Sequence, residues 1–121
     1  MEKMTLNDYQ DKAKTFCLPE CDNITYAILG LAEEVGELQG KLAKAVRKGN
    51  ISINNNCLMM SYGFDGNAFK EELKRELGDV LWFVAHTSSQ LGFSLEDVAK
   101  NNIAKLSERK KKNEIITHQD H

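Results

Sequence analysis

Apolar residues return along most of this chain at alternating steps of four and three, the signature of amphipathic helices. The clearest run is Ile24, Ile28, Leu31, Val35, Leu38 and Leu42, one buried stripe of a long helix that opens near Asn23 and closes at Val46-Arg-Lys-Gly49. Basic residues in the last turn and a glycine just past it are what the helix dipole and a left-handed C-cap favour. A shorter first helix is predicted from Leu6 to Phe16, with Thr5 as N-cap and Pro19 with the polar Glu20-Cys-Asp-Asn23 breaking it. The third helix runs from Ala68 to Leu91, buried through Phe69, Leu73, Leu77, Val80, Val84 and Leu91, and Gly92 stops it. Ser94-Leu-Glu-Asp97 reads as a capping box with Asp at its fourth position. It opens a fourth helix through Val98, Ile103 and Leu106, which should fray from Arg109-Lys-Lys-Lys onward.

Residues 50–67 break the period. They are rich in Asn and Gly and predict an irregular loop, with a short hairpin through Ser52 to Tyr62 as the ordered option. Long loops inside compact domains tend to be functional or mobile. Leu58, Met59, Met60, Tyr62 and Phe64 are too apolar for a solvated linker, so the segment is expected to pack against something, a neighbouring subunit or a base. The expected fold is all-α: four helices in a bundle, one long irregular loop between the second and third, and a single domain over 1–121.

Length and charge narrow the setting. A chain of 121 residues supports one modest core and sits near the size at which partner subunits become useful, so a homodimer or homotetramer is expected. Hydrophobic residues at 41%, charged residues at 28% and a single proline describe a folded, helix-rich protein. Sixteen basic against eighteen acidic residues give a net charge of -2, which offers no general attraction to nucleic acid or an anionic membrane. Any phosphate binding must be local. The opening residues hold no apolar core of signal-peptide type and no run approaches a membrane span, so a cytoplasmic protein is expected. Cys17, Cys21 and Cys57 lack the second pair or nearby His of a zinc site and are expected as buried reduced thiols. His86 is expected in a core or interface, and His118 and His121 belong to the tail.

The candidate chemistry lies in two acidic segments, Leu31-Ala-Glu-Glu-Val-Gly-Glu-Leu38 and Arg75-Glu-Leu-Gly-Asp-Val80. Residues three apart are neighbours on a helix, so Glu34 pairs with Glu37 and Glu76 with Asp79. At about 100° per residue, Glu34 and Glu37 lie roughly 70° and 130° from the stripe centre, and Glu76 and Asp79 roughly 60° and 120° from theirs, in the same sense. Glu33 falls nearly opposite its stripe and is expected in solvent. Solvated acids are common on amphipathic helices, but these pairs set like charges side by side. Each also carries a helix-weakening glycine, Gly36 or Gly78. Four carboxylates closed around cations, with the glycines allowing close approach of a backbone or ligand, account for both features. The Glu-x-x-His of di-iron bundles is missing, and all-oxygen ligands suit Mg²⁺ or Mn²⁺ with a phosphorylated ligand.

On these motifs the sequence resembles the MazG-type, all-α nucleoside triphosphate pyrophosphohydrolases, whose signature is Glu-Glu-x-x-Glu on one helix and Glu-x-x-Asp on the next. The likeness continues through Asp79-Val-Leu-Trp-Phe83, through Asn102-Ile-Ala-Lys105-Leu-Ser-Glu-Arg109 and into the Tyr9-Gln10 region. The gap between Glu37 and Glu76 is longer than the family usually shows, and Lys-Lys-Lys follows Arg109 where many relatives have an aromatic and a proline. The resemblance implies hydrolysis of a nucleoside triphosphate between its α and β phosphates, to monophosphate and pyrophosphate. It implies cations at Glu34, Glu37, Glu76 and Asp79 and a water held or deprotonated by one of these acids, with Glu37 a candidate. Lys105 and Arg109 would steady the triphosphate, Asn102 would position it, and Phe83 would flank the base. Relatives restricted to deoxyuridine or deoxycytidine triphosphates or to phosphoribosyl-ATP share the acidic device, and a catalytically silent helical partner-binding module is the alternative from another class.

Overall fold

The computed structural model describes residues 2–112; His118 and His121 lie outside them, and the fourth helix continues through Lys111 instead of fraying from Arg109. The elements are α1 (Leu6–Lys14), a 3-10 turn (Pro19–Cys21), α2 (Ile24–Arg47), β1 (Ile51–Asn54), β2 (Cys57–Met60), α3 (Gly66–Gln90) and α4 (Leu95–Lys111). Local chemistry sets their starts. Thr5 and Asp8 form a reciprocal capping box on α1, Asn23 accepts from the Tyr26 N–H on α2, and Ser94 accepts from the Asp97 N–H on α4. Asp65 caps α3 through the Ala68 N–H, two residues earlier than the hydrophobic period suggests.

The segment expected as an irregular loop is ordered around an antiparallel hairpin that pairs Ile51 with Met60 and Asn54 with Cys57. Its two turn residues, Asn55 and Asn56, have φ of 52° and 62°, the left-handed pair that a two-residue hairpin turn requires and that Asn tolerates. Ile51 is buried with Ala45 and Phe69, and Leu42, Met60, Phe64 and Leu73 pack around them. The hairpin is thereby anchored to both long helices. Leu58, Met59 and Tyr62 remain exposed.

α2 and α3 run antiparallel. Gly30 meets Phe83, Glu34 meets Glu76 and Asp79, Lys41 meets Glu72, and Ala45 packs with Phe69. This corrects the expected stripes. Of the six α2 positions, Ile24, Ile28 and Val35 are exposed and Leu31, Leu38 and Leu42 only half-buried, while Ala27 and Ala45 are buried. On α3, Leu77 and Leu91 are likewise exposed. The helices touch through small and polar residues, which allow close approach, and the largest side chains fall on the neighbouring flank. Gly30 shows why: a Cβ there would lie 2.1 Å from the Phe83 ring, so no other residue fits without displacing it.

Buried polar groups lock α1 to the far end of α3 and to α4. The Gln10 amide donates to Ser89 Oγ and to the Phe93 carbonyl at 2.9 Å each, and its oxygen accepts from the Leu95 N–H at 2.7 Å. The Trp82 indole N–H donates to the Ala13 carbonyl at 3.2 Å. His86 is buried, stacks on Trp82 and lies 2.8 Å from the Cys21 carbonyl, as befits a core histidine. All cysteines are free, but Cys17 and Cys21 are half-buried and Cys57 is exposed on the hairpin, so the expectation of buried thiols fails.

Candidate functional site

The middle of the α2 and α3 pair is acidic. One oxygen each from Glu34, Glu76 and Asp79 lie within 4.8 Å of one another, and Glu34 also joins Glu33 and Glu37 in a second such group. Glu34 therefore belongs to both. Its Oε2 and that of Glu76 are buried without any hydrogen-bond partner, a costly state for a carboxylate that demands compensation. Burial pushes the Glu34 carboxyl pKa up, and the charges of Glu37 and Asp79, a hydrogen bond with Glu37 and the charge of Glu76 push it further. Hard oxygen donors, packed until they repel and left without donors of their own, fit a divalent cation such as Mg²⁺ or Mn²⁺.

Glu33 is exposed, yet its carboxylate reaches within 4.8 Å of those of Glu34 and Glu37. A helical wheel fixes the direction of Cβ, and a glutamate has enough rotatable bonds to bring its oxygens back toward a neighbouring position. The glycines inside the motifs do not serve close packing within the chain, since a Cβ on Gly36 or Gly78 would meet nothing within 4 Å. They border open space beside the acids. From α1, Tyr9 lies near enough that Asp79 adds to the effect of burial in raising its phenol pKa.

Sequence reasoning passed over one basic residue here. Lys41 Nζ sits 2.6 Å from Glu72 Oε1 and 3.8 Å from Glu76 Oε1, and that bond with Glu72 pulls the Glu72 pKa down. The signal was available in helical spacing, because Lys41 stands one turn beyond Glu37 and Glu72 one turn before Glu76.

The other expected substrate residues stand apart from this cluster. Among the described residues, Asn102, Lys105 and Arg109 make no hydrogen bond or ion pair with the carboxylates; Asn102 and Lys105 are exposed and Arg109 half-buried on α4. Phe83 is 8% exposed, its ring against Gly30 and near Tyr26 and Trp82. In this chain it is a core aromatic.

A mainly helical chain whose two longest helices bring Glu34, Glu76 and Asp79 together, with one buried, partnerless oxygen on Glu34 and one on Glu76, is an all-α protein with an acidic seam. Residues 23–113 match the MazG nucleotide pyrophosphohydrolase domain, and the chain belongs to that family. It is also 34% identical over 95 residues to the Gene 37 protein of Mycobacterium phage L5, covering 75% of this chain and 72% of that one. No solved structure matches it. No helix among the described residues is long and apolar enough to cross a membrane.

Proposed function

We propose that this protein hydrolyses a nucleoside triphosphate between the α and β phosphates, with Mg²⁺ or Mn²⁺, releasing a monophosphate and pyrophosphate. It would do so in the cytoplasm, clearing unwanted nucleotides from the pool. The observation that carries the reading is the pair of buried, partnerless oxygens on Glu34 and Glu76 beside Asp79, within a domain of the nucleotide pyrophosphohydrolase family. Glu34, Glu37, Glu76 and Asp79 would hold the cations, which supply charge neutralisation at the phosphates and a more acidic bound water. Glu37, more exposed than Glu34, would accept the proton of the attacking water. Lys105, Arg109 and Asn102 would act on the phosphates from α4, and Phe83, buried in this chain, would reach the base only if the substrate or a partner helix opened its surroundings.

The exposed flank beside the acids supports assembly into a homodimer or homotetramer. Ile28 and Leu77 are each 54% exposed and Val35 is 42% exposed, large apolar side chains left open on the two helices that carry the acids. The decisive experiment offers a panel of common and modified triphosphates with Mg²⁺ and measures pyrophosphate and orthophosphate separately. Pyrophosphate with monophosphate is expected, and orthophosphate alone would defeat the reading.

A further inference from the structure

We propose that a cavity beside the acidic cluster, between the second half of α2, the foot of the hairpin and the start of α3, is a polyphosphate subsite. In it Lys41, Lys44 and Lys48 take the terminal phosphates of the substrate and hold the departing pyrophosphate. The proposal rests on the triphosphate reading above and adds the residues that grip the leaving group.

The cavity measures about 220 Å³ and is lined by Lys41, Lys44, Lys48, Asn50, Phe64 and the Glu72 side chain. That volume is below the roughly 300–1,000 Å³ of pockets that enclose whole drug-sized ligands. It suits a terminal group rather than a complete nucleotide. The lysines fall at i, i+3 and i+7, one face of α2, and span about 10 Å along its axis. Lys41 belongs to both places, lining the cavity and lying 3.8 Å from Glu76. A phosphate chain bound at the acids and running toward the cavity would therefore meet Lys41 first and Lys44 next.

Charge and scaffold agree with this role. Three ammonium groups line the cavity with a single carboxylate, Glu72, and of the three only Lys41 also pairs with Glu76, in a chain whose net charge is -2. Among the described residues Lys44 and Lys48 have no ion-pair partner. The pair of Lys41 with Glu72 is partly exposed, so a phosphate can compete for that ammonium at little expense. Basic residues near a helix C-terminus answer the dipole, but that effect fades within the last turn. Arg47 serves it without lining the cavity, whereas Lys41 stands well before the end. The floor is rigid. Ala45 and Phe69 are buried with Ile51, Phe64 packs edge-on to Phe69 at 5.5 Å, and Asn50 is pinned by backbone bonds to Ala45 and Ser61 at 2.9 Å each. These contacts leave the Asn50 amide to donate to an anion.

The test uses the full chain and inorganic pyrophosphate. Without added metal, calorimetry should show pyrophosphate binding by the natural protein, and Lys44→Glu with Lys48→Glu should weaken it by about tenfold or more. Lys48→Glu alone should weaken it by less, and Lys74→Glu, on an exposed surface elsewhere on α3, should not change it. With Mg²⁺, Lys44→Ala with Lys48→Ala should raise KM for the triphosphate. A natural chain that fails to bind pyrophosphate, or charge-reversed variants that bind it as well as the natural chain, would overturn the subsite. A chain that binds pyrophosphate through these lysines but cleaves no triphosphate would keep the subsite and reject the hydrolase reading, so the two failures are distinct.

Discussion

α2 presents two faces that the hydrophobic pattern alone would rank in the wrong order. Toward α3 it shows Gly30, Glu34, Lys41 and Ala45, a row of small and polar residues. On the adjoining flank it shows Ile24, Ile28 and Val35, all large, apolar and exposed. The first face does the work of this chain: it lets α3 approach, holds the carboxylates in a poorly solvated seam and places lysine at the seam's edge. The second face leaves about half of its large apolar surface uncovered by the chain itself, the kind of surface on which the proposed second copy would sit.

The comparison is tested hardest at the seam. If it binds cations, Glu34→Gln or Glu76→Gln should each reduce turnover by about a hundredfold or more, since a cation contributes several kcal/mol to the transition state. Glu37→Gln and Asp79→Asn should follow the same direction. Mg²⁺ should raise the melting temperature of the natural protein, because a ligand that binds the native state stabilises it, and should do so much less in these variants. Metal-free, Glu34→Gln should melt at or above the natural protein, as it removes a charge from a repelling, desolvated cluster. A Glu34→Gln variant that loses stability in the absence of metal would show that the carboxylate was structural.

Next in size is the contact that sets the helix spacing. Gly30→Ala improves helix propensity by about 1 kcal/mol, yet places a methyl group 2.1 Å from the nearest atom of the Phe83 ring. Overpacking of this kind costs about 1–3 kcal/mol, so the melting temperature should fall, and a second change, Phe83→Leu, should recover part of the loss. A Gly30→Ala protein more stable than the natural one would mean that the two faces are not held apart by this contact. On the flank, Ile28→Ser with Val35→Ser should shift light scattering toward a smaller species at micromolar concentration. Each change should alter the stability of the single chain by only about 0.5 kcal/mol. An unchanged mass would remove the flank from the assembly.

Much of the fold was legible because helix periods and caps are local. Thr5 and Ser94 cap the helices they were expected to cap and the second helix opens at Asn23, while of the four acids expected to close on one another Glu34, Glu76 and Asp79 come together and Glu37 groups with Glu33 and Glu34 instead. The face that α2 turns to α3 was not legible, because a hydrophobic stripe records everything a helix will bury, in its own chain or in a partner. The significance of Gly30 depends on Phe83, far away in sequence, and appears only when the helices are paired. The hairpin could be read only as an option, since three consecutive asparagines allow a left-handed turn without requiring one. Lys41 is hard to read from sequence because a lysine one turn from a glutamate is an ordinary solvated pair on most helices, and only the pairing of α2 with α3 brings it to Glu72 and Glu76.

The smallest expected effect separates two adjacent residues. Glu33 and Glu34 both bring oxygens into the cluster on α2, but Glu34 alone also joins Glu76 and Asp79 across the seam. Glu34 has a buried oxygen without a partner, whereas Glu33 is exposed. Water can replace an exposed carboxylate at a cation, and hard cations of this kind commonly retain several waters. Replacing Glu34, whose oxygen meets those of Glu76 and Asp79 across the seam, would remove the ligand on which a bound cation's position would depend. Glu33→Gln should therefore be the mild member of the series, with turnover and metal-free melting both close to the natural protein. Steady-state rates and melting curves for Glu33→Gln and Glu34→Gln, measured side by side, decide the matter. An inactive Glu33→Gln beside a fully active Glu34→Gln would move the cation off the seam and onto the outer face of α2.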